Sequence, residues 1–184
     1  TVNDLIFKFR SFEIGGKKYK KDRGYAFEEQ LNENTENVMN KKLFEYYLPE
    51  KQAQIPMLIL SPTIVNDGRR LLISPQPISY LTNLKPQSNL RNNYIHESVE
   101  FSRLFKNQEA NNLKFSSALR MSSTFPYVMP IVHLPSEPEI QIMDAGIRDN
   151  FGMQTTLKFL YTYRKWLEMN TSGVVILQIR DLEK

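Results

Sequence analysis

Apolar positions come in short bursts along this chain, and their spacing separates helices from strands. Residues 24–35 carry Tyr25, Phe27 and Leu31 among polar neighbours, which predicts a short helix ended by the polar stretch 32–37. Residues 38–48 predict a second helix, with Leu43, Tyr46 and Tyr47 at i, i+3 and i+4. Pro49 closes it, because proline disfavours helical geometry in the residue before it. Residues 55–60 and 71–74 are short apolar runs, and Asn66-Asp67-Gly68 between them is a strong turn signal. They read as two strands, antiparallel neighbours. Residues 75–94 are rich in Pro, Asn, Ser and Gln and read as loop. Residues 97–105 predict a helix with Val99 or Phe101 and Leu104 or Phe105 turned inward.

The second half is more regular. Residues 115–123 predict a helix with small side chains (Ser116, Ser117, Ala118, Ser122, Ser123), ended by Phe125-Pro126 and suited to close packing on a neighbour. Residues 139–143 read as a strand with Ile140 and Ile142 on one face. Residues 151–169 predict a long helix, roughly 28 Å at 1.5 Å per residue. Met153, Leu157, Leu160, Tyr161 and Arg164 lie on one stripe of it, and Phe159, Tyr163 and Trp166 widen the band. Residues 174–179 predict a buried strand. Strand, long helix, strand implies a βαβ unit with parallel strands and a right-handed crossover. Residues 1–14 fit a strand or the end of a helix, through Leu5, Phe7 and Phe9, before Gly15-Gly16 interrupts.

Composition narrows the class. The 184 residues are 41% apolar and 24% charged, a globular balance sufficient for one core. No cysteine is present, which excludes disulfides and Cys-based zinc sites. No apolar run approaches the roughly 20 residues of a bilayer span. The net charge of +4 is a weak argument for nucleic acid, and no such partner is expected. Lys17, Lys18, Lys20, Lys21 and Arg23 form a basic run with one aromatic, Tyr19. That run reads as a solvated loop rather than a stacking site for single strands. His96 and His133 stand in loop-like or boundary settings and read as surface residues, too far apart for a metal site.

The strongest chemical signal is residues 143–152, Met-Asp-Ala-Gly-Ile-Arg-Asp-Asn-Phe-Gly. Asp144 falls at the carboxyl end of a predicted strand, where α/β folds build their ligand crevices. Gly146 permits a turn with positive φ. Asn150 or Asp149 is placed to cap the long helix. Two readings stand on spacing alone: turn and cap residues, or half of an active site.

A resemblance bears on that choice. Asp144-Ala145-Gly146 followed by Asp149-Asn150 resembles the Asp-Gly-Gly/Ala-x-x-x-Asn segment of patatin-like phospholipases. The small-residue helix ending Ser122-Ser123-Thr124-Phe125-Pro126 resembles the family's Ala/Ser-rich helix ending in proline. Asp22-Arg23-Gly24-Tyr25-Ala26-Phe27-Glu28 is similar to an Arg-Gly-x-x-Leu-Glu stretch of bacterial members. Residues 55–69 resemble the family's strand and its x-x-Thr-x-x-x-x-Gly-Arg turn. Together these span roughly residues 22–175, in the family's order. Two positions depart from the pattern: Ala-Gly follows the acid instead of Gly-Gly, and Phe151-Gly152 stands where Asn-Pro is frequent.

The resemblance implies a three-layer α/β/α fold, incomplete here, with residues 1–184 forming one partial domain, the downstream portion of a patatin-like domain. It implies a serine lipid acyl hydrolase acting on lipid or ester substrates through a Ser–Asp dyad, with no metal or other cofactor. Asp144 would be the catalytic acid, supported by Gly146 and Asn150. None of the seven glycines has a serine two residues on, so the family's Gly-x-Ser-x-Gly nucleophile elbow is absent, as is its Gly-rich oxyanion loop. Both would precede Thr1, and the 184 residues by themselves are expected to be catalytically silent. Ser122 and Ser123 lack the Gly-flanked turn of an elbow serine and read as packing residues. Peripheral membrane contact and self-association through exposed sheet edges are further expectations. An α/β module that binds without catalysing is the alternative.

Overall fold

The computed structural model describes residues 11–14, 17–82 and 97–179. The alternating Leu5, Phe7 and Phe9 and the side chain of His96 lie outside that range. Strands β1 (Ser11–Ile14) and β2 (Lys17–Lys20) form an antiparallel hairpin with Ser11 opposite Lys20. The first part of the basic run is therefore strand, not loop. Lys21 follows it and lies over the Tyr25 ring at 4.9 Å.

Helix α1 (Arg23–Asn34) starts where Asp22 accepts from the Tyr25 amide at 2.9 Å. The helix expected over 38–48 is two pieces: a 3-10 turn at Val38–Asn40, then α2 at Leu43–Lys51. Pro49 lies inside α2 rather than ending it. Its ring removes a bond to the carbonyl of Glu45, which sits on the exposed face where water can replace the lost donor.

The main sheet has five strands in the order β5-β4-β3-β7-β6. Here β3 is Thr63–Ile64, β4 Arg70–Leu72, β5 Ser98–Glu100, β6 Val132–Leu134 and β7 Ile140–Met143. The β4–β5 pair is parallel and the others are antiparallel. The β3–β4 hairpin turns at Asn66-Asp67-Gly68 as the sequence predicts, and Gly68 takes φ +73°, which a glycine adopts without steric cost. Of the strand expected over 55–60, Leu60 is the residue that pairs, bridging to Ile73. The turn also stitches itself to β7: the Asn66 side chain donates to the Glu139 carbonyl at 3.0 Å and accepts from the Gln141 amide at 2.9 Å.

Residues 97–105 are not one helix. They form β5 and then the single-turn helix α3 (Phe101–Leu104). The inward residues of β5 are polar, so no apolar period marks it. Ser98 donates to the Leu81 carbonyl at 3.3 Å. The buried Glu100 accepts from the Ile78 amide at 2.9 Å, from the Ser79 hydroxyl, and from Ser102 at 2.9 Å.

Alternation along β4 shows the layers. Leu71 and Ile73 pack with Leu43 of α2, Phe101 and Phe105, Ala118 and Met121 of α4 (Phe115–Ser122), and Ile142 of β7. Leu72 points the other way, to Ile78 and Leu81, with Phe159 of the long helix packed alongside. The long helix is numbered α6 (Met153–Asn170), after the short α5 (Gly146–Asp149). Helices thus cover both faces of a mixed sheet, the α/β architecture the sequence implies. The face α6 turns inward runs Thr155, Phe159, Tyr163, Leu167, while Leu157, Tyr161 and Trp166 of the expected band are exposed. Tyr80 joins the inner face, 5.2 Å from Tyr163 between ring centroids.

Residues 174–179 form no strand, and the βαβ expectation is not met. Both edges of β7 are already taken, by β3 and β6, each antiparallel. No slot beside β7 is left for a parallel partner. Val175 and Leu177 are 94% and 84% exposed instead.

One buried carboxylate offers a pH test of the packing. Glu50, at the end of α2, accepts from the Leu58 amide at 3.0 Å. Burial raises its pKa above the usual value, outweighing its hydrogen bonds. A raised folded value means the ionised form opposes folding, and this cost grows as pH rises. Glu50→Gln is therefore expected to raise Tm at pH 7, with the gap to wild type closing toward pH 4 in calorimetry.

Candidate active site

Strand β7 delivers Asp144 at its carboxyl end, and α5 begins two residues later. The strand end is gripped from two sides. The Asp144 amide donates to the Thr124 carbonyl at 3.0 Å and the Ala145 amide to the Ser122 carbonyl at 3.1 Å, both at the end of α4. The buried Thr63 of β3 donates its hydroxyl to the Asp144 carbonyl at 2.9 Å. The half-buried carboxylate accepts from the Gly146 amide at 2.6 Å.

Asp144, Gly146 and Asn150 come together. A Cβ built on Gly146 would stand 2.6 Å from Asp144 Oδ1 and 2.9 Å from Asn150 Oδ1, closer than side-chain carbons approach oxygens. The glycine is thus needed for close approach. It is not a positive-φ residue, as the turn reading allowed; that conformation belongs to Gly152, at φ +66° before α6.

Of the two candidate caps, Asp149 does the work and Asn150 does not. Its carboxylate accepts from the amides of Gln154 and Thr155, each at 2.9 Å, and from the Thr155 hydroxyl at 2.7 Å. It is buried and faces Arg70 Nη1 at 3.3 Å, and that nitrogen also donates to Thr155 Oγ1 at 3.0 Å. The cap is thus tied into β4, and α6 starts at Met153 rather than at 151.

Neither serine of the α4 terminus is displayed as a nucleophile. Ser122 Oγ is enclosed, and Ser123 Oγ is committed to the Leu119 carbonyl at 3.0 Å. His133 is exposed and pairs with Glu139 at 2.7 Å, away from Asp144 in the sheet register. Among the described residues no group of three His, Cys, Asp or Glu side chains is placed to hold a metal ion, and no helix is long and apolar enough to cross a membrane.

The position of α4 depends on α1. Arg120 lies over Gly24 and pairs with Glu28 at 3.2 Å and Asp22 at 3.5 Å, while Ser117 donates to Glu28 at 2.7 Å. A Cβ on Gly24 would stand 2.2 Å from the Arg120 guanidinium. Gly24→Ala must push that side chain off its carboxylates. Losing charged hydrogen bonds costs about 1.5–3 kcal/mol, and alanine returns roughly 0.5–1 kcal/mol of helix propensity. A net loss of about 1 kcal/mol is expected in urea titration, turning into a gain of roughly 0.5–1 kcal/mol in the Arg120→Ala background, where only the helix propensity remains.

Sequence reasoning found Asp144, Gly146, Asn150 and Asp149 but not Thr63, Thr124, Arg70 or Thr155. A signal for Thr63 was present: it is the threonine of the x-x-Thr-x-x-x-x-Gly-Arg turn, and its hydroxyl reaches the acid's own carbonyl. A family model described as patatin-like phospholipase matches residues 32–157, more than half of the chain. No curated protein and no solved structure matches it.

Proposed function

This chain belongs to the patatin-like phospholipase family, and we propose that it is part of a serine lipid acyl hydrolase, a phospholipase or esterase, in which Asp144 is the acid of a Ser–Asp dyad. The family acts on lipid and ester substrates. The observation that carries the finer reading is the grip on Asp144. Thr63, Ser122 and Thr124 fix its main chain, and one carboxylate oxygen is held by the Gly146 amide. An acid whose backbone is clamped from β3 and α4 meets the positional demand of a general base.

In this reading a serine hydroxyl from sequence preceding Thr1 attacks the ester carbonyl while Asp144 takes its proton. The tetrahedral oxyanion rests on backbone amides of a Gly-rich loop, also from that sequence. Collapse expels the alcohol, which takes the proton, and leaves an acyl-serine. Asp144 then deprotonates a water that attacks the acyl carbon; the serine oxygen leaves and takes that proton, releasing the acid and restoring both groups. Gly146, lacking a Cβ, lets the carboxylate and the Asn150 side chain come close against its backbone.

A short-chain p-nitrophenyl ester assay tests the reading. The 184-residue chain is expected to be silent and a form extended upstream to turn over. Turnover by the short chain would place the nucleophile within it. Silence of both would favour the rival reading, an α/β module that binds without catalysing. Exposed Val175 and Leu177 also lead us to expect self-association. A monomeric mass in light scattering would refute that.

A further inference from the structure

Residues 121–132 read Met-Ser-Ser-Thr-Phe-Pro-Tyr-Val-Met-Pro-Ile-Val, twelve positions without an acid or a base in a chain that is 24% charged. The part joining α4 to β6 is a surface turn, closed by bonds from the amides of Val128 and Met129 to the Phe125 carbonyl at 3.2 and 3.0 Å. Its apolar side chains face outward: Phe125 is 60%, Tyr127 98% and Val128 55% exposed. Tyr127 also adopts φ +65°, a left-handed conformation that costs an aromatic residue energy. Its ring packs on almost nothing, so the fold spends strain to put an aromatic into solvent.

The location is specific. Phe125 follows Thr124, whose carbonyl holds the Asp144 amide. On the other side of Asp144, Ile147 and Phe151 are also exposed. Apolar side chains therefore project from both segments that meet at the acid. Exposed apolar clusters of this kind mark interaction surfaces, and aromatic residues suit the boundary between hydrocarbon and water.

We propose that the turn at 125–129, with Ile147 and Phe151, is a lipid-contacting surface that seats the Asp144 site against a phospholipid layer. This rests on the reading of the chain as part of a lipid acyl hydrolase. The turn itself carries no charge and so favours dispersion and hydrophobic contact with a zwitterionic layer over headgroup charge, with Arg148, exposed beside Ile147, as a base next to it.

Co-sedimentation with phosphatidylcholine vesicles tests it, using the 184-residue protein. Wild type is expected to sediment, and Tyr127→Asp and Val128→Asp to cut the bound fraction at least fivefold. Tyr127→Asp keeps the fold, because the side chain is exposed and aspartate tolerates positive φ better than tyrosine. The emission of Tyr127→Trp in a Trp166→Phe background should shift to the blue on vesicles, while that of Trp166 in the wild type should not move. No sedimentation, sedimentation unchanged in both variants, or binding to anionic vesicles only would overturn the proposal; the last would point to Arg148 or the β2 lysines. Turnover of a soluble ester by the extended form without vesicle binding would sink this surface and spare the catalytic reading. Vesicle binding lost in Tyr127→Asp with no turnover in any form would do the reverse.

Discussion

Asp149→Ala is expected to destabilise the protein by about 3 kcal/mol, because it removes the buried partner of the Arg70 guanidinium and leaves it only the half-exposed Glu97 at 4.0 Å. The same change strips the cap from α6, freeing the amides of Gln154 and Thr155 and the hydroxyl of Thr155 at once. Asp149→Asn retains acceptor capacity for the amides and should cost less. A double change, Arg70→Met with Asp149→Leu, removes both charges and should recover part of the loss, since a buried ion pair is costly mainly when broken on one side. Urea titration of the four proteins checks the order.

The same residue shapes the acid limb of the stability curve. Burial works to raise the Asp149 pKa, but the Thr155 hydroxyl, the amides of Gln154 and Thr155 and the charge of Arg70 outweigh it, and the folded value lies below the ordinary one. With the folded pKa depressed, the stabilisation is fully present above the unfolded value of about 3.9. It is lost as pH falls through the folded value. The stability gap between wild type and Asp149→Asn should therefore hold from pH 7 to pH 5 and narrow below about pH 4.

Asp144→Ala in the extended form should lower kcat by about 10³-fold or more, within the range ascribed to a positioned general base. The fold should survive, because the Asp144 side chain accepts one bond, from the Gly146 amide, while Thr63, Ser122 and Thr124 grip only the main chain of residues 144 and 145. Tm should therefore move little while turnover collapses. Gly146→Val is the companion test. Its side chain must displace the carboxylate or Asn150, and a misplacement of about 1 Å is enough to cost roughly 100-fold. Turnover that persists in Asp144→Ala would reassign the base.

Where local pattern and tertiary packing agree, the sequence is easy to read. Asn66-Asp67-Gly68 between strands and the small side chains of residues 115–123 each act over a few residues. Asp144 with Gly146 and Asn150 was legible for the same reason, since a strand end, a small residue and a polar residue lie within seven positions. Pro49 misled because its cost depends on whether water can reach the carbonyl it leaves, which is a matter of exposure. β5 was missed because its buried side chains, Ser98 and Glu100, are polar and find their partners at Leu81, Ile78 and Ser79.

By itself the sequence determined the broad class, the helices flanking the sheet, the central turn, and the acid with its glycine. Tertiary structure decided which strands pair, that residues 174–179 have no place beside β7, and which groups hold the acid. Thr63 reaches the Asp144 carbonyl across 81 positions and Arg70 reaches Asp149 across 79. No local propensity encodes such a contact. It exists only because β3 lies between β4 and β7 in one sheet, where hydrogen bonds and burial between strands, rather than sequence spacing, set the geometry around the carboxylate.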